Sequence, residues 1–188
     1  MSEVWPPEIE SARALARLES GVDHIRGPDS ARDLVEYGDY ECPYSRQAYR
    51  EIERIERSLP DGVRFAFRHF PLATIHPHAV AAAMAAEAAA LQGRFWEMHD
   101  LLFHRQDALE DDDLRTYAHE LGLDVDRFDG DRTSTGVAAR VQRDVATGEA
   151  SGEVNGTPTL FVDGVVHRGG YDRTTLIEVL APPSSGSK

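Results

Sequence analysis

Residues 34–68 carry the pattern of a strand, a helix and a second strand in direct succession, and no other feature limits the fold as strongly. Residues 34–37 are mostly apolar and end at a Gly-Asp turn. From about Pro43 to Leu59, apolar residues recur at intervals of 4, 3 and 4, which places them on one helical face. Residues 63–68 alternate between large apolar and other side chains, as a strand does. Strands joined by one helix pair in parallel through a right-handed crossover, so this stretch predicts the centre of a sheet.

The rest of the chain predicts further helices and then a return to strands. Helical patterns occupy residues 78–91, 95–103 and 114–121 and a segment marked by Val137, Val141 and Val145. Asp163-Gly164 then separates two short apolar runs, 159–162 and 165–167, which is a strong hairpin signal. A last helix is predicted to begin near Asp172. Together these elements predict an α/β fold with one mixed sheet and helices on both faces.

The same pattern predicts how the chain is divided. We expect residues 21–75 and 151–181 to form the sheet domain, and residues 76–150 to form an all-helical insertion within it. Residues 1–20 are expected to form an N-terminal helical extension. Residues 182–188 are rich in Pro, Gly and Ser, and we expect a disordered tail there. A length of 188 residues is enough for one such domain with a sizeable core.

Charge and hydropathy exclude several classes of partner. The chain has 20 basic and 33 acidic side chains, so its net charge of -13 disfavours binding to nucleic acid or to an anionic membrane. No apolar run approaches the ~20 residues that cross a bilayer. The N-terminal residues lack a basic start followed by an apolar segment, and a cytoplasmic location is therefore expected.

Cys42 is the only cysteine, which rules out an intramolecular disulfide. It follows a predicted strand and turn, and Pro43 suits the first position of a helix. A cysteine at a helix N-terminus is favoured as the thiolate, which is the nucleophilic form. Two observations point the other way: a free cysteine is often a small buried apolar residue, and a neighbouring carboxylate such as Glu41 disfavours a thiolate.

Ser45 lies three residues after Cys42, on the same side of the predicted helix. Its hydroxyl can donate a hydrogen bond to a thiolate, but it cannot attack a mixed disulfide. The pair therefore predicts a cycle with one thiol. In that cycle Cys42 attacks a disulfide, a mixed disulfide forms, and an external thiol resolves it.

A second motif, Asn155-Gly156-Thr157-Pro158-Thr159, leads into the strand predicted at 159–162. Proline is tolerated at the start of a strand, and the local sequence leaves both the cis and the trans form of the Thr157-Pro158 bond open. His76-Pro77-His78, with His69 nearby, has metal-ligand residue types but not the spacing of a preformed pair. We predict no metal site and no cofactor.

The two motifs, in this order and with helices between them, resemble the DsbA-like branch of the thioredoxin superfamily. The resemblance covers roughly Asp23 to Leu180. It is carried by residues 35–44, by the segments Phe67-Arg68-His69-Phe70-Pro71-Leu72 and His76-Pro77-His78-Ala79, and by residues 95–103 and 156–162. It implies a thioredoxin-like fold in which the helices from about His76 to Ala150 are the family's insertion. It also implies that Cys42 is the attacking thiol, that Pro158 is a cis-proline beside it, and that the backbone of Thr157 pairs with an extended substrate.

Ser45 is the departure from that family pattern, because the typical member has a second cysteine there. Three explanations stay open: a natural one-thiol member, a fold kept as a binding module, or a serine put in place of a natural cysteine. We expect a protein that forms mixed disulfides through Cys42 with protein disulfides or with a small thiol such as glutathione. Ser45 would stabilise the thiolate, and Pro43, Tyr44, Thr157 and Pro158 would contact the substrate. The alternative is a non-catalytic thioredoxin-fold module that binds peptides.

Overall fold

The computed structural model describes residues 17–59 and 62–181, and within them it contains one five-stranded sheet. The strands are β1 (His24–Arg26), β2 (Arg32–Gly38), β3 (Val63–His69), β4 (Thr159–Val162) and β5 (Val165–His167). They lie in the order β1-β3-β2-β4-β5. Only β2 and β3 are parallel; the other three pairs are antiparallel. The predicted parallel pair and the predicted mixed sheet are therefore confirmed.

Seven helices accompany the sheet in the described residues. They are α1 (Pro43–Ser58), α2 (Ala79–Ala90), α3 (Phe95–His104), α4 (Asp111–Glu120), α5 (Val125–Asp131), α6 (Thr135–Ser151) and α7 (Arg173–Leu180). Only α5 was not expected; it is short and polar, and Asp124 caps it by accepting a hydrogen bond from the Arg127 N–H. The side chain of Asp172 caps α7, as the sequence predicts.

The predicted extension and tail at the two ends of the chain fall mostly outside the described residues. Arg17 to Ser20 are not helical, so the predicted N-terminal helix does not extend to Ser20. The remainder of that predicted extension and the predicted tail at 182–188 lie outside the described residues. The five helices α2 to α6 all lie between β3 and β4, where the insertion is predicted.

The alternation of side chains along the strands gives the sheet two buried faces. One face carries Leu34, Phe65, Phe67 and Leu160, and it belongs to the main apolar cluster with α1 and the inserted helices. The other face is smaller, and its cluster consists of Val35, Tyr37, Val154 and Phe161 with partly buried neighbours. Burial on both faces is typical of a central strand such as β2, in which every residue from Leu34 to Gly38 is buried.

A buried ion pair ties the chain before β1 to this second face. The Arg68 guanidinium donates to both carboxylate oxygens of Asp23, at 3.0 and 2.8 Å, and both side chains have no exposed area. Arg68 also donates to the Tyr37 hydroxyl at 2.9 Å, and that hydroxyl lies 3.0 Å from Oγ1 of Thr147 on α6. The network thus joins β2, β3, α6 and the N-terminal loop.

Removal of the Asp23 carboxylate should destabilise the fold strongly, because it leaves a buried guanidinium without its main anion. We expect Asp23→Ala to lower the free energy of unfolding by about 3–5 kcal/mol in urea denaturation. Asp29→Ala is the matched control, since the Asp29 side chain is 96% exposed beside Arg64 and an exposed pair is worth less than about 1 kcal/mol. Equal losses in the two variants would contradict this prediction.

The contribution of Asp23 also has a definite pH dependence. Burial by itself raises the pKa of Asp23, but the hydrogen bonds from Arg68 and the Glu19 N–H, with the charges of Arg68 and Arg143, lower it below its ordinary value. The stability that Asp23 supplies is therefore complete above about pH 4 and is lost as the pH falls through the lowered pKa. The difference between wild type and Asp23→Ala should shrink in that acidic range.

Candidate active site around Cys42

Cys42 occupies the N-cap of α1, and Pro43 is the first residue of the helix, as the sequence predicts. The Cys42 side chain makes no capping hydrogen bond, and the first turn of α1 contains no acidic residue. Cys42 therefore lies at the positive end of the helix dipole, and the first turn of the helix adds no carboxylate there. Cys42 is only 3% exposed.

The Cys42 sulfur lies against the second sequence motif. Its Sγ donates to the carbonyl oxygen of Thr157 at 3.3 Å, across 115 residues of sequence. The Thr157-Pro158 peptide bond is cis. Oγ1 of Thr157 is buried and has no hydrogen-bond partner among the described residues. The structure thus brings Cys42, Thr157 and Pro158 together at one place, where β4 begins.

Ser45 is completely buried, and its hydroxyl has a partner other than the sulfur. Oγ of Ser45 accepts a hydrogen bond from the backbone N–H of Asp39 at 3.2 Å. Among the hydrogen bonds of the described residues, none joins Ser45 to Cys42. Ser45 therefore stabilises the turn that precedes α1. The hydrogen bond from its hydroxyl to a Cys42 thiolate stays a prediction.

The Asp39 carboxylate fixes the same turn from the other side. It accepts hydrogen bonds from the backbone N–H of Glu41 at 2.8 Å and of Leu72 at 2.8 Å, and Nδ1 of His76 lies 2.7 Å away. Leu72 and His76 belong to the segment between β3 and α2. The segment that begins the insertion is thereby attached to the residues just before Cys42.

Glu41 makes a parallel set of contacts with His78, the N-cap residue of α2. The Glu41 carboxylate accepts from the His78 backbone N–H at 2.6 Å, and Nδ1 of the His78 ring lies 2.9 Å from its other oxygen. Nε2 of His78 lies 3.2 Å from Glu110. The hydrogen bond to Glu41, the charge of Glu41 and the contacts with Glu110 together raise the pKa of His78, against a smaller opposing effect of burial. Each histidine of the His76-Pro77-His78 motif is therefore engaged by its own carboxylate.

Gln106, which follows α3, holds the backbone on both sides of Glu41. Its Nε2 donates to the carbonyl oxygen of Tyr40 at 2.6 Å and to that of Cys42 at 2.9 Å. No sequence pattern predicts this contact, because a lone glutamine after a helix has no periodicity and its partners lie more than 60 residues away. Gln106 is thus a site residue that only the structure identifies.

Glu36 is a second residue that the sequence analysis did not select. It lies on β2, it has no exposed area, and neither carboxylate oxygen has a hydrogen-bond partner among the described residues. Burial raises the pKa of Glu36 to about 8, partly offset by the charge of Arg26. The carboxyl is therefore mostly protonated at neutral pH. A charged residue inside an apolar strand was the available signal.

A pocket of about 300 Å³ opens beside Pro158. Tyr171 lines it, and the hydroxyl of Tyr171 lies 3.5 Å from Oε1 of Gln47 on α1. Burial is the main cause that raises the pKa of Tyr171. Tyr44 itself is 62% exposed.

A second groove of about 890 Å³ follows β5 and α7 and has none of the predicted site residues in its lining.

A separate buried cluster has the residue types of a metal site. Ligand atoms of His69, Glu87 and Asp144 lie within 4.8 Å of one another. Arg140 forms an ion pair with Asp144 and lies 3.8 Å from Glu87, so a guanidinium already supplies the positive charge. Nε2 of His24 lies 3.0 Å from Glu87, and the backbone N–H of His69 donates to Asp144. The cluster joins β1 and β3 to α2 and α6.

Comparison with known proteins links the chain to one family. The family model described as Thioredoxin matches residues 19–180. A thioredoxin-like oxidoreductase from Silicibacter pomeroyi DSS-3 superposes with a TM-score of 0.75 at 26% identity, over 86% of this chain and 91% of that one. The thiol-disulfide exchange protein alpha-DsbA2 from Wolbachia pipientis gives a TM-score of 0.77 at 15% identity, over 94% of this chain and 98% of that one, which is a likeness of fold.

Curated relatives are more similar in sequence but much longer. The Na(+)/H(+) antiporter NhaA 1 of Mycolicibacterium gilvum (strain PYR-GCK) is 44% identical over 178 residues, which cover 93% of this chain and 29% of that protein. The Na(+)/H(+) antiporter NhaA 3 of Salinispora tropica is 48% identical over 179 residues, or 88% and 27% of the two chains. This chain thus spans less than a third of the length of these relatives. Within the described residues, no helix is both long enough and apolar enough to cross a membrane.

Replacement of Gln106 should change the reactivity of Cys42 without unfolding the protein. We expect Gln106→Ala to lower the free energy of unfolding by about 1–3 kcal/mol, because two carbonyl groups lose their donor. It should also change the rate at which Cys42 reacts with iodoacetamide by several-fold, since the backbone that positions the sulfur loosens.

Gln92→Ala is the matched control for Gln106→Ala. Gln92 likewise bonds backbone groups within the insertion, through Asp124 N–H and C=O, but it does so away from Cys42. Its loss should leave the alkylation rate of Cys42 unchanged. If both variants altered that rate equally, the specific role of Gln106 would be wrong.

Proposed function

The chain belongs to the thioredoxin family, and on that premise we propose that it is a thiol-disulfide oxidoreductase that acts through Cys42 alone. The observation that carries the proposal is the position of the free Cys42 sulfur, at the N-cap of α1 and 3.3 Å from the carbonyl oxygen of Thr157. The antiporter activity named for the longer relatives is not proposed for this chain, because the matched stretch is less than a third of those proteins.

The proposed reaction has two exchange steps. The Cys42 thiolate attacks one sulfur of a substrate disulfide, so that a new S–S bond forms and the other substrate sulfur leaves as a thiolate with the electron pair. A thiolate from solution then attacks the substrate sulfur of the mixed disulfide. This second step forms a disulfide between the two outside partners and releases the Cys42 thiolate. The protein therefore ends each cycle unchanged, and the outside thiol supplies the reducing electrons.

Two features of the site support this cycle. The N-terminus of α1 favours an anion at Cys42, and the sulfur lies beside a carbonyl group at the entrance of β4, where an extended substrate can add by backbone pairing. Tyr44 and the pocket at Pro158 and Tyr171 flank this position. We propose protein disulfides or mixed disulfides of a small thiol such as glutathione as substrates. We also propose a cytoplasmic setting, where thiols are kept reduced.

The burial of Cys42 favours a second candidate function. A sulfur that is only 3% exposed is typical of a packing residue, and the family fold without a reactive thiol is a peptide-binding module. In that case an extended peptide would bind beside Thr157 and Pro158 and Cys42 would stay unreactive.

Alkylation of Cys42 against pH separates the two candidates. The one-thiol enzyme predicts a pH midpoint of the iodoacetamide rate well below the ~8.5 of a free thiol. It also predicts that oxidised glutathione adds one glutathionyl group to the folded protein by intact mass, and that Cys42→Ala takes up none. A midpoint at or above that of a free thiol, with no glutathionyl addition, would contradict the enzyme and favour the module.

Restoring a second thiol at Ser45 tests the one-thiol cycle directly. Ser45 lies one helical turn from Cys42, so treatment of Ser45→Cys with oxidised glutathione should form an intramolecular disulfide and release reduced glutathione. After removal of the glutathione, this variant should oxidise a reduced substrate protein without any added small thiol. Ser45→Ala is the control and should gain no such activity. Oxidase activity in the wild type that matches Ser45→Cys would contradict the requirement for an external thiol.

A further inference from the structure

We propose that His78 is a positioning residue for the reaction of Cys42: by pairing with Glu41, it prevents the neighbouring carboxylate from suppressing the thiolate. This inference rests on the proposed function, because it concerns the reactivity of the same sulfur. It assigns a role in the chemistry to the inserted helices, since His78 is the N-cap residue of α2.

The negative charge of Glu41 opposes formation of the Cys42 thiolate. It directly precedes Cys42, and a carboxylate next to a thiol disfavours loss of the thiol proton. Both oxygens of Glu41 are engaged by one residue, through the His78 backbone N–H at 2.6 Å and the ring Nδ1 at 2.9 Å. The carboxylate is thus held on the insertion side of the turn by two hydrogen bonds, one of them with a group that can carry a positive charge.

The charge on His78 is favoured by what surrounds it. Glu41 faces one ring nitrogen and Glu110, from the loop before α4, faces the other at 3.2 Å. These carboxylates raise the pKa of His78, so the ring keeps its proton to a higher pH than an ordinary histidine. A protonated His78 offsets the negative charge of Glu41, whereas a neutral residue there leaves that charge in place.

The other charged groups near the turn have partners of their own. Asp39 is paired with His76, on the segment between β3 and α2. Arg46, on α1, donates to the His104 carbonyl oxygen and lies 3.6 Å from Asp107. Tyr44 follows Cys42 by two residues, and burial raises the pKa of the Tyr171 phenol. Glu41 is therefore the charge whose effect on Cys42 depends on His78.

A double-mutant cycle tests the coupling of His78 and Glu41. We expect His78→Ala to move the pH midpoint of Cys42 alkylation upward by about half a pH unit or more, because the Glu41 charge is no longer offset. In the Glu41→Gln background the same replacement of His78 should cause a clearly smaller shift, since the carboxylate that His78 offsets, and that favours its charge, is gone. His78→Lys should restore the wild-type midpoint, because it supplies a cation at the same place.

Two controls keep the result specific. His119→Ala removes an exposed histidine from the same insertion and should leave the midpoint unchanged. Circular dichroism and urea denaturation identify any variant that fails to fold. The comparison of Glu41→Gln with the double variant of Glu41→Gln and His78→Ala remains useful in that case, because neither protein contains the ion pair.

The inference and the proposed function fail in different ways. If wild-type Cys42 does not react with iodoacetamide or oxidised glutathione, the proposed function is wrong. If wild-type Cys42 reacts but His78→Ala leaves the midpoint unchanged, only the role of His78 is wrong. A shift of equal size in the wild-type and Glu41→Gln backgrounds would also overturn it, because His78 would then act by a route other than Glu41.

Discussion

The Asp39 carboxylate is the constraint on which the geometry at Cys42 depends. Asp39 is 2% exposed and accepts from two backbone N–H groups, while the ring of His76 lies 2.7 Å away. Its own backbone N–H donates to Ser45, and its carbonyl oxygen accepts from the N–H of Cys42 at 3.1 Å. A buried carboxylate is stable only when such donors compensate for its lost hydration. The turn that presents Cys42 is therefore fixed by the same contacts that keep Asp39 buried.

These contacts also explain why the helical insertion matters to the site. Cys42 belongs to the sheet domain, but the side chains that hold residues 39–42 come largely from the insertion and from the segment leading into it. His76 and His78 engage the carboxylates on this turn, and Gln106 holds two of its carbonyl groups. The insertion is in turn attached to the sheet by the cluster of His69, Glu87 and Asp144. The orientation of the nucleophile thus depends on the docking of two parts of the chain that are distant in sequence.

The sequence predicted what is local or periodic, and it missed what depends on distant contacts. Helix periodicity and the Asp163-Gly164 signal gave the sheet, the parallel pair and the hairpin, since each is determined within a few residues. The position of Cys42 at the N-cap of α1 followed from Pro43 in the same way. Gln106 could not be predicted, because its partners are brought near by tertiary packing. The resemblance to a family supplied the position of Pro158 beside Cys42, which local patterns could not, whereas the contact of Cys42 with the Thr157 carbonyl comes from the structure.

The contacts of Ser45 indicate where the second sulfur of a one-thiol cycle has to come from. Because the Ser45 hydroxyl already accepts from Asp39, it contributes to the shape of the turn, and the second sulfur has to come from outside. Only 3% of Cys42 is exposed, so in the proposed cycle both the substrate and the resolving thiol have to reach an almost fully covered sulfur. The outside thiol can attack only the mixed disulfide that the first exchange forms, so the order of the two steps follows from the chemistry of a single thiol.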